Sequence, residues 1–163
     1  MTSILIQNAQ LILPNSVFLG ACLVKDGLIT DLFDGAVPGN AQAERVIDAD
    51  GSYLAPGLID VQLNGAFGHD FTRSPETIWP VAALLPKLGL TGFLPTIITA
   101  PLARSEQARK VLKQRPEDFS GTIPLGLHLE GPFLNRQKKG AHNPKHILLP
   151  RSEEHTSELQ SRS

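Results

Sequence analysis

Glu130 closes the string Leu125-Gly-Leu-His-Leu-Glu130, stands directly before Gly131-Pro132, and is followed in the next loop by Lys138-Lys-Gly-Ala-His-Asn-Pro144. If the string is a strand, Leu125, Leu127 and Leu129 share one face and Gly126, His128 and Glu130 the other. Glu130 is then the last inward-facing group before a Gly-Pro break. In a parallel α/β barrel, catalytic groups sit at such strand ends. A carboxylate there can bind a metal, and His142 can fold back over it. A second reading fits the same residues: a buried carboxylate satisfied by backbone amides, with His128 a core histidine. The segment alone does not choose between them.

The elements that must position these groups fall into two stretches. Residues 1–54 are β in character, with short apolar runs at 3–7, 11–13, 21–24, 28–32 and 45–48. Pro14-Asn15, Asp26-Gly27, Asp34-Gly35 and Asp50-Gly51 punctuate them, and Asp-Gly between apolar runs is a hairpin signal. The clearest hairpin is Val24-Lys-Asp-Gly-Leu-Ile29. So few short strands cannot enclose a core alone, so this stretch is expected to be part of a small β-sandwich layer. From residue 55 the pattern changes to a buried strand at 58–64, entered through Pro56-Gly57. A helix follows with Ser74 as N-cap, Pro75 first, and Ile78, Val81, Ala82 and Leu85 at helical spacing. Pro80 and Pro86 imply a kink or an early end, and Trp79 is expected on the packing surface. A strand at 92–99, a helix at 103–113 and a strand at 122–130 complete the series. Strand-helix-strand-helix-strand with apolar strands reads as parallel α/β.

Composition is that of an ordinary globular chain: 163 residues, 41% hydrophobic, 19% charged and a net charge of −1. That balance suggests neither nucleic acid nor membrane as a partner. One cysteine, Cys22, within the apolar run 20–24, forbids an internal disulfide and suits a reducing compartment. The first residues lack a signal-type apolar stretch, and the cytoplasm is the expected location. Residues 151–163 break the pattern: they are polar, without apolar periodicity, and 151–161 match the translation of a common sequencing-library adapter. They are expected to be an artefactual tail, and His155 is left out of site reasoning.

Pro56-Gly-Leu-Ile-Asp60, at the junction of a β layer and a first barrel strand, resembles the amidohydrolase superfamily. Most of its members continue with two metal-binding histidines one residue apart, where this chain has Gln62 and Asn64. An amide is a poor substitute for imidazole as a metal ligand. Gln62-Leu-Asn-Gly65, Leu94-Pro-Thr-Ile-Ile-Thr99, His128-Leu-Glu-Gly-Pro132 and Lys138-Lys-Gly-Ala-His-Asn-Pro144 together resemble the N-acetylglucosamine-6-phosphate deacetylase family, over essentially all of residues 1–150.

The resemblance implies metal-assisted hydrolysis of an acetamido group, giving glucosamine 6-phosphate and acetate. It implies one divalent metal, usually zinc, held by Glu130 and two later histidines, with an aspartate from a late strand moving the proton. It assigns His142 and Ala141 to the substrate, Ala141 through its backbone. Gln62 and Asn64 become polar groups of the pocket. The partner is an amino-sugar phosphate, and family members usually form homodimers. The implied fold is a (β/α)8 barrel preceded by the small β layer. Such a barrel takes about 250 residues, and residues 55–150 would supply about three of its eight strands. The metal histidines and the aspartate would then lie beyond Pro150, and this chain alone is expected to be inactive. The alternatives are an amidohydrolase acting on a cyclic amide or another acylated amino sugar, or a non-functional fragment. The first predicts histidines where Gln62 and Asn64 stand.

Other residues have plainer readings. His69 and Asp70 suit a hydrogen-bonded surface loop, and His146 an exposed position. Asp60 suits a brace at its strand end. Lys138 and Lys139 are equally consistent with a solvated loop and with attraction of a sugar phosphate.

Overall fold

A long first strand, β1 (Ser3–Leu13), organises the N-terminal part of the computed structural model, which describes residues 2–39 and 41–150. It pairs antiparallel with β2 (Ser16–Lys25), which pairs with β3 (Leu28–Asp34); β4 (Arg45–Asp48) and β5 (Tyr53–Leu54) add parallel to the other edge of β1. The β2–β3 hairpin turns on Asp26 and Gly27, with φ of 48° and 80°. Two successive positive values are what a tight two-residue hairpin loop demands.

The two apolar runs expected at 3–7 and 11–13 are one strand with a bulge. Asn8 has φ 54° and the pairing register shifts between Ile6 and Ala9. The extra residue re-phases the strand. Leu5 packs with Ala21 and Leu23 in one cluster, whereas Ala9 and Leu11 join Ile6 and Cys22 in another. The Asn8 amide bonds both oxygens of Asp48 at 3.0 Å, tying the bulge to β4. The Asp50 amide and then Asn8 hold the Asp48 carboxyl below its usual range. Cys22 is buried and burial pushes its thiol up, as befits a packed, inert side chain. Within this unit the described strands form a single five-stranded sheet.

The chain divides at Pro56/Gly57 into two units. In the second, β6 (Leu58–Leu63), β7 (Leu90–Ile98), β8 (Ile123–Pro124) and β9 (His128–Glu130) run parallel, with β7 central. Between them stand α1 (Ile78–Leu84), flanked by single 3-10 turns, and α2 (Leu102–Lys113). Together these make the chain a mixed α/β protein. The helical spacing read from sequence is what fills the core: Ile78, Val81, Ala82 and Leu85 lie with Phe71, Trp79, Phe93, Ile97 and Ala108 in one buried cluster. Trp79 stands edge-on to Phe119 at 4.9 Å, and its indole N–H donates to the Val111 carbonyl at 2.8 Å.

Three expectations need correction. Ser74 precedes a 3-10 turn, and its hydroxyl caps nothing; its carbonyl accepts from the Thr77 amide and hydroxyl instead. Strand β6 is not buried: Leu58, Ile59 and Val61 are 63%, 61% and 61% exposed. Among the described residues it pairs with β7 alone and sends only Leu63 to the buried cluster. The strand expected at 122–130 is interrupted. The β8 partners on β7 are offset by 31 residues and the β9 partners by 32, so one residue is inserted between them. The three leucines therefore share no common buried face: Leu127 packs on the core while Leu125 and Leu129 are exposed. The expectations for residues 151–163, His155 included, lie outside the described residues.

No described helix is long and apolar enough to cross a membrane. Replacing Trp79 by Ala should cost about 3–5 kcal/mol, the usual loss for a large buried aromatic. Urea unfolding of the protein checks it, and an unchanged midpoint would mean the Trp79–Phe119–Val111 contact carries no stability.

Candidate functional site

The candidate site forms at the ends of β7 and β9, and β7 sets its geometry. Thr96, Ile97 and Ile98 pair with His128, Leu129 and Glu130, so Glu130 ends its strand opposite the last residue of β7. The chain then turns through Gly131, with φ 96°. A Cβ at Gly131 would strike the Thr99 hydroxyl, so the close approach of the turn to β7 requires glycine.

The loop that follows is folded onto itself. Asn135 and Asn143 each accept, through the side-chain oxygen, a backbone N–H two residues ahead, at 2.8 and 3.0 Å. These bonds start the two short 3-10 turns at Arg136–Lys138 and Pro144–His146. The Leu148 amide returns to the Pro132 carbonyl at 3.0 Å, and Ile147 is buried. Between the turns, Gly140 takes φ 55° and the His142 amide bonds the Lys139 carbonyl. This arrangement carries the His142 ring back over the strand end.

His142 Nε2 lies 3.3 Å from Glu130 Oε1, and Nδ1 lies 3.0 Å from Thr99 Oγ1. The Thr99 hydroxyl donates to the Glu130 carbonyl at 3.1 Å. The side chains of His142 and Glu130 are 13% and 33% exposed, so the imidazole is largely covered and the glutamate only partly exposed. A cavity of about 430 Å³ lies beside the end of β9 and against α2, bordered by Thr99, Pro101, Arg109, Leu129, Glu130 and Pro132; His142 does not line it.

The other candidates are distributed around this pair. His128 is half-buried and its Nδ1 donates to the Val61 carbonyl at 2.9 Å, the satisfied histidine of the second reading. That carbonyl is available because β6 carries one residue more than β7 between the pairs Asp60–Phe93 and Leu63–Pro95. Pro95, without an N–H, sits at this irregularity, where a proline is tolerated inside a sheet. Gln62 is exposed on β6 and Asn64 is exposed just after it. Neither side chain bonds Glu130 or His142 among the described contacts. Ala141 is exposed beside His142. Asp60 accepts from the Gln62 amide at 2.9 Å, a local brace. Asp70 accepts from the Thr72 and Arg73 amides and so shapes its loop, while His69 is exposed. Thr72 in turn accepts from the Ile98 amide, fastening that loop to the end of β7. His146 is half-buried rather than exposed, because Ile147 beside it anchors the loop.

As a set, the described residues do not make a metal site. No three His, Cys, Asp or Glu side chains converge among them, and a zinc site takes at least three protein ligands. Glu130 fits as a single ligand: a carboxylate on a rigid strand end, partly exposed. Thr99 is the contributor that reading the residues missed. A threonine closing an apolar strand looks like strand chemistry, and only the fold brings its hydroxyl between the two site residues.

No family model matches the chain. It is 44% identical over 112 residues to N-acetylglucosamine-6-phosphate deacetylase of Bos taurus, covering 64% of the chain and 27% of that protein. The deacetylase of Bacillus subtilis is 31% identical over 154 residues, covering 91% of the chain and 38% of its own length. Among solved structures, the Pasteurella multocida deacetylase superposes with a TM-score of 0.82 at 30% identity, across 98% of this chain and 42% of that one. The chain therefore spans about a quarter to two-fifths of the length of the relatives it matches.

Replacing Gly131 by Ala should displace the Thr99 hydroxyl and destabilise the protein by more than about 1 kcal/mol. Gly140→Ala, where a Cβ meets nothing within 4 Å, should cost less. Thermal unfolding of both variants checks the order; equal losses would mean that the close approach to Thr99 is relaxed at no cost.

Proposed function

We propose that this chain is part of a metal-dependent amide hydrolase that removes the acetyl group of N-acetylglucosamine 6-phosphate, releasing glucosamine 6-phosphate and acetate. The observation that carries the reading is Glu130 at the end of β9 with His142 folded onto it, in a chain similar along most of its length to deacetylases of that name. In this reading residues 55–150 are the opening of a (β/α)8 barrel and supply about three of its eight strands. Residues 1–54 belong to its small β layer, and 151–163 are foreign to it.

Glu130 is one ligand of a single divalent ion, zinc by preference, which in such hydrolases activates water and polarises the acyl oxygen. The remaining ligands and the proton-transferring aspartate belong to chain outside the described residues. The roles left to this chain are binding and orientation. His142 and the Ala141 backbone contact the acetamido sugar, held there by the folded loop. Gln62 and Asn64, following Asp60 on β6, line the polar side of the pocket. The assembled enzyme is a cytoplasmic homodimer.

Assaying the full-length protein with N-acetylglucosamine 6-phosphate tests the activity, and failure to release acetate would refute it. In that protein Glu130→Gln should lose most bound metal, by elemental analysis, and nearly all turnover; full metal content would remove Glu130 from the ligand set. His142→Ala should keep its metal and lose about 10- to 100-fold in kcat/KM, the worth of one hydrogen bond to a polarised group. Metal loss in that variant would mean that His142 is a ligand instead.

A further inference from the structure

The loop that folds over the end of β9 carries an unbalanced charge. Arg136, Lys138, Lys139 and Lys145 follow one another in it, and residues 131–150 contain no aspartate or glutamate. In residues 1–130 the acids outnumber the lysines and arginines, so the positive excess is local to this loop. Arg136, Lys138 and Lys145 are exposed, and none of the four cations forms an ion pair among the described residues.

Uncharged bonds hold the loop in place, so these cations are not fixed by partners of their own. The Asn135 and Asn143 turns, buried Ile147 and the Leu148–Pro132 bond close it. The Lys139 carbonyl accepts from the His142 amide at 3.1 Å, and a turn of that span keeps its end Cα atoms within about 7 Å. The basic stretch therefore adjoins the residue that lies on Glu130. Other ionised groups near these strand ends have local partners. Asp70 faces Arg73 at 3.7 Å and Glu106 faces Arg109 at 2.9 Å. Glu76 accepts from the Gln107 amide, and Glu130 meets His142.

A phosphate monoester carries about −1.5 to −2 charge at neutral pH. We propose that the basic loop Arg136–Lys145 steers an anionic, phosphorylated sugar toward the site at Glu130, acting through water and at a distance rather than by gripping the phosphate. A fixed patch of one sign raises the local concentration of an oppositely charged ligand. Two unit charges on the order of 10 Å from such a phosphate are worth roughly 5- to 10-fold when the Debye length is about 30 Å, and almost nothing when it is about 3 Å. The proposal rests on the deacetylase reading for the identity of the sugar phosphate.

The test uses the full-length protein and three double variants. Lys138→Gln with Lys145→Gln removes charge from the loop, and Lys138→Arg with Lys145→Arg keeps it. Lys87→Gln with Lys113→Gln removes the same charge from exposed positions ahead of β7 and β8, at the opposite ends of the strands. At about 10 mM salt the loop Gln pair should lose about 5- to 10-fold in kcat/KM for N-acetylglucosamine 6-phosphate with kcat held, and at about 1 M salt the loss should vanish. The Arg pair and the Lys87–Lys113 pair should behave as wild type. A loss that persists at high salt, a loss in kcat, an equal loss in either of the other pairs, or no loss at all would overturn the proposal. Calorimetric binding of glucosamine 6-phosphate to the same proteins needs no turnover and should follow the same order. Loop-dependent, salt-screened binding without acetate release would refute the deacetylase reading and leave steering standing. Acetate release with one salt dependence in all four proteins would do the reverse, and a wild type that neither binds nor turns over would overturn both.

Discussion

Pairing of β7 on both edges is the constraint on which the second unit depends. Strands β6 on one side and β8 and β9 on the other bond to it, and Phe93, Thr96 and Ile97 are buried within. A strand held on two edges and packed on one face has little freedom at its end. Residues one step beyond it inherit that rigidity, which is why Thr99 can serve as a fixed point. A site built on strand ends is held more tightly than one built on loops alone. His142 comes from a loop, but the loop is closed by its own asparagine turns and by the Leu148–Pro132 bond, and its ring is referred back to Thr99.

The irregularities of the sheets do as much as their regular parts. The bulge at Asn8 lets one strand supply side chains to two clusters. The extra residue in β6 near Pro95 frees the Val61 carbonyl for His128. The residue inserted between β8 and β9 sets the phase in which Glu130 arrives opposite Ile98. Each is a departure of one residue, and in a structure of period two a single residue changes which face a side chain occupies.

Much of the fold was legible because its signals are local. The Asp26-Gly27 hairpin, the buried spacing Ile78, Val81, Ala82 and Leu85, and the second helix at 102–113 depend on residues near one another in the chain. Exposure of β6 was not legible, because an apolar strand reads the same whatever covers it. The break at 125–127 was not either, since Leu125, Leu127 and Leu129 alternate perfectly on paper and lose their phase only against β7. The placement of His142 near Glu130 was anticipated as a loop folding back, without a distance or a partner for its second nitrogen.

By itself, then, the sequence determined which chemical groups exist and where along the chain strands must end: a carboxylate before Gly131-Pro132, a histidine between Gly140 and Pro144, an amide pair at Gln62 and Asn64. These follow from backbone preferences and apolar periodicity, which act over a few residues. Tertiary structure alone decided that the Thr99 hydroxyl would lie between Glu130 and His142, 31 and 43 residues away in the chain. The reason is physical: a hydrogen bond needs its atoms within about 3 Å and correctly aligned, and only the register of β9 on β7, with a turn that tolerates no side chain at Gly131, brings those three groups to one point.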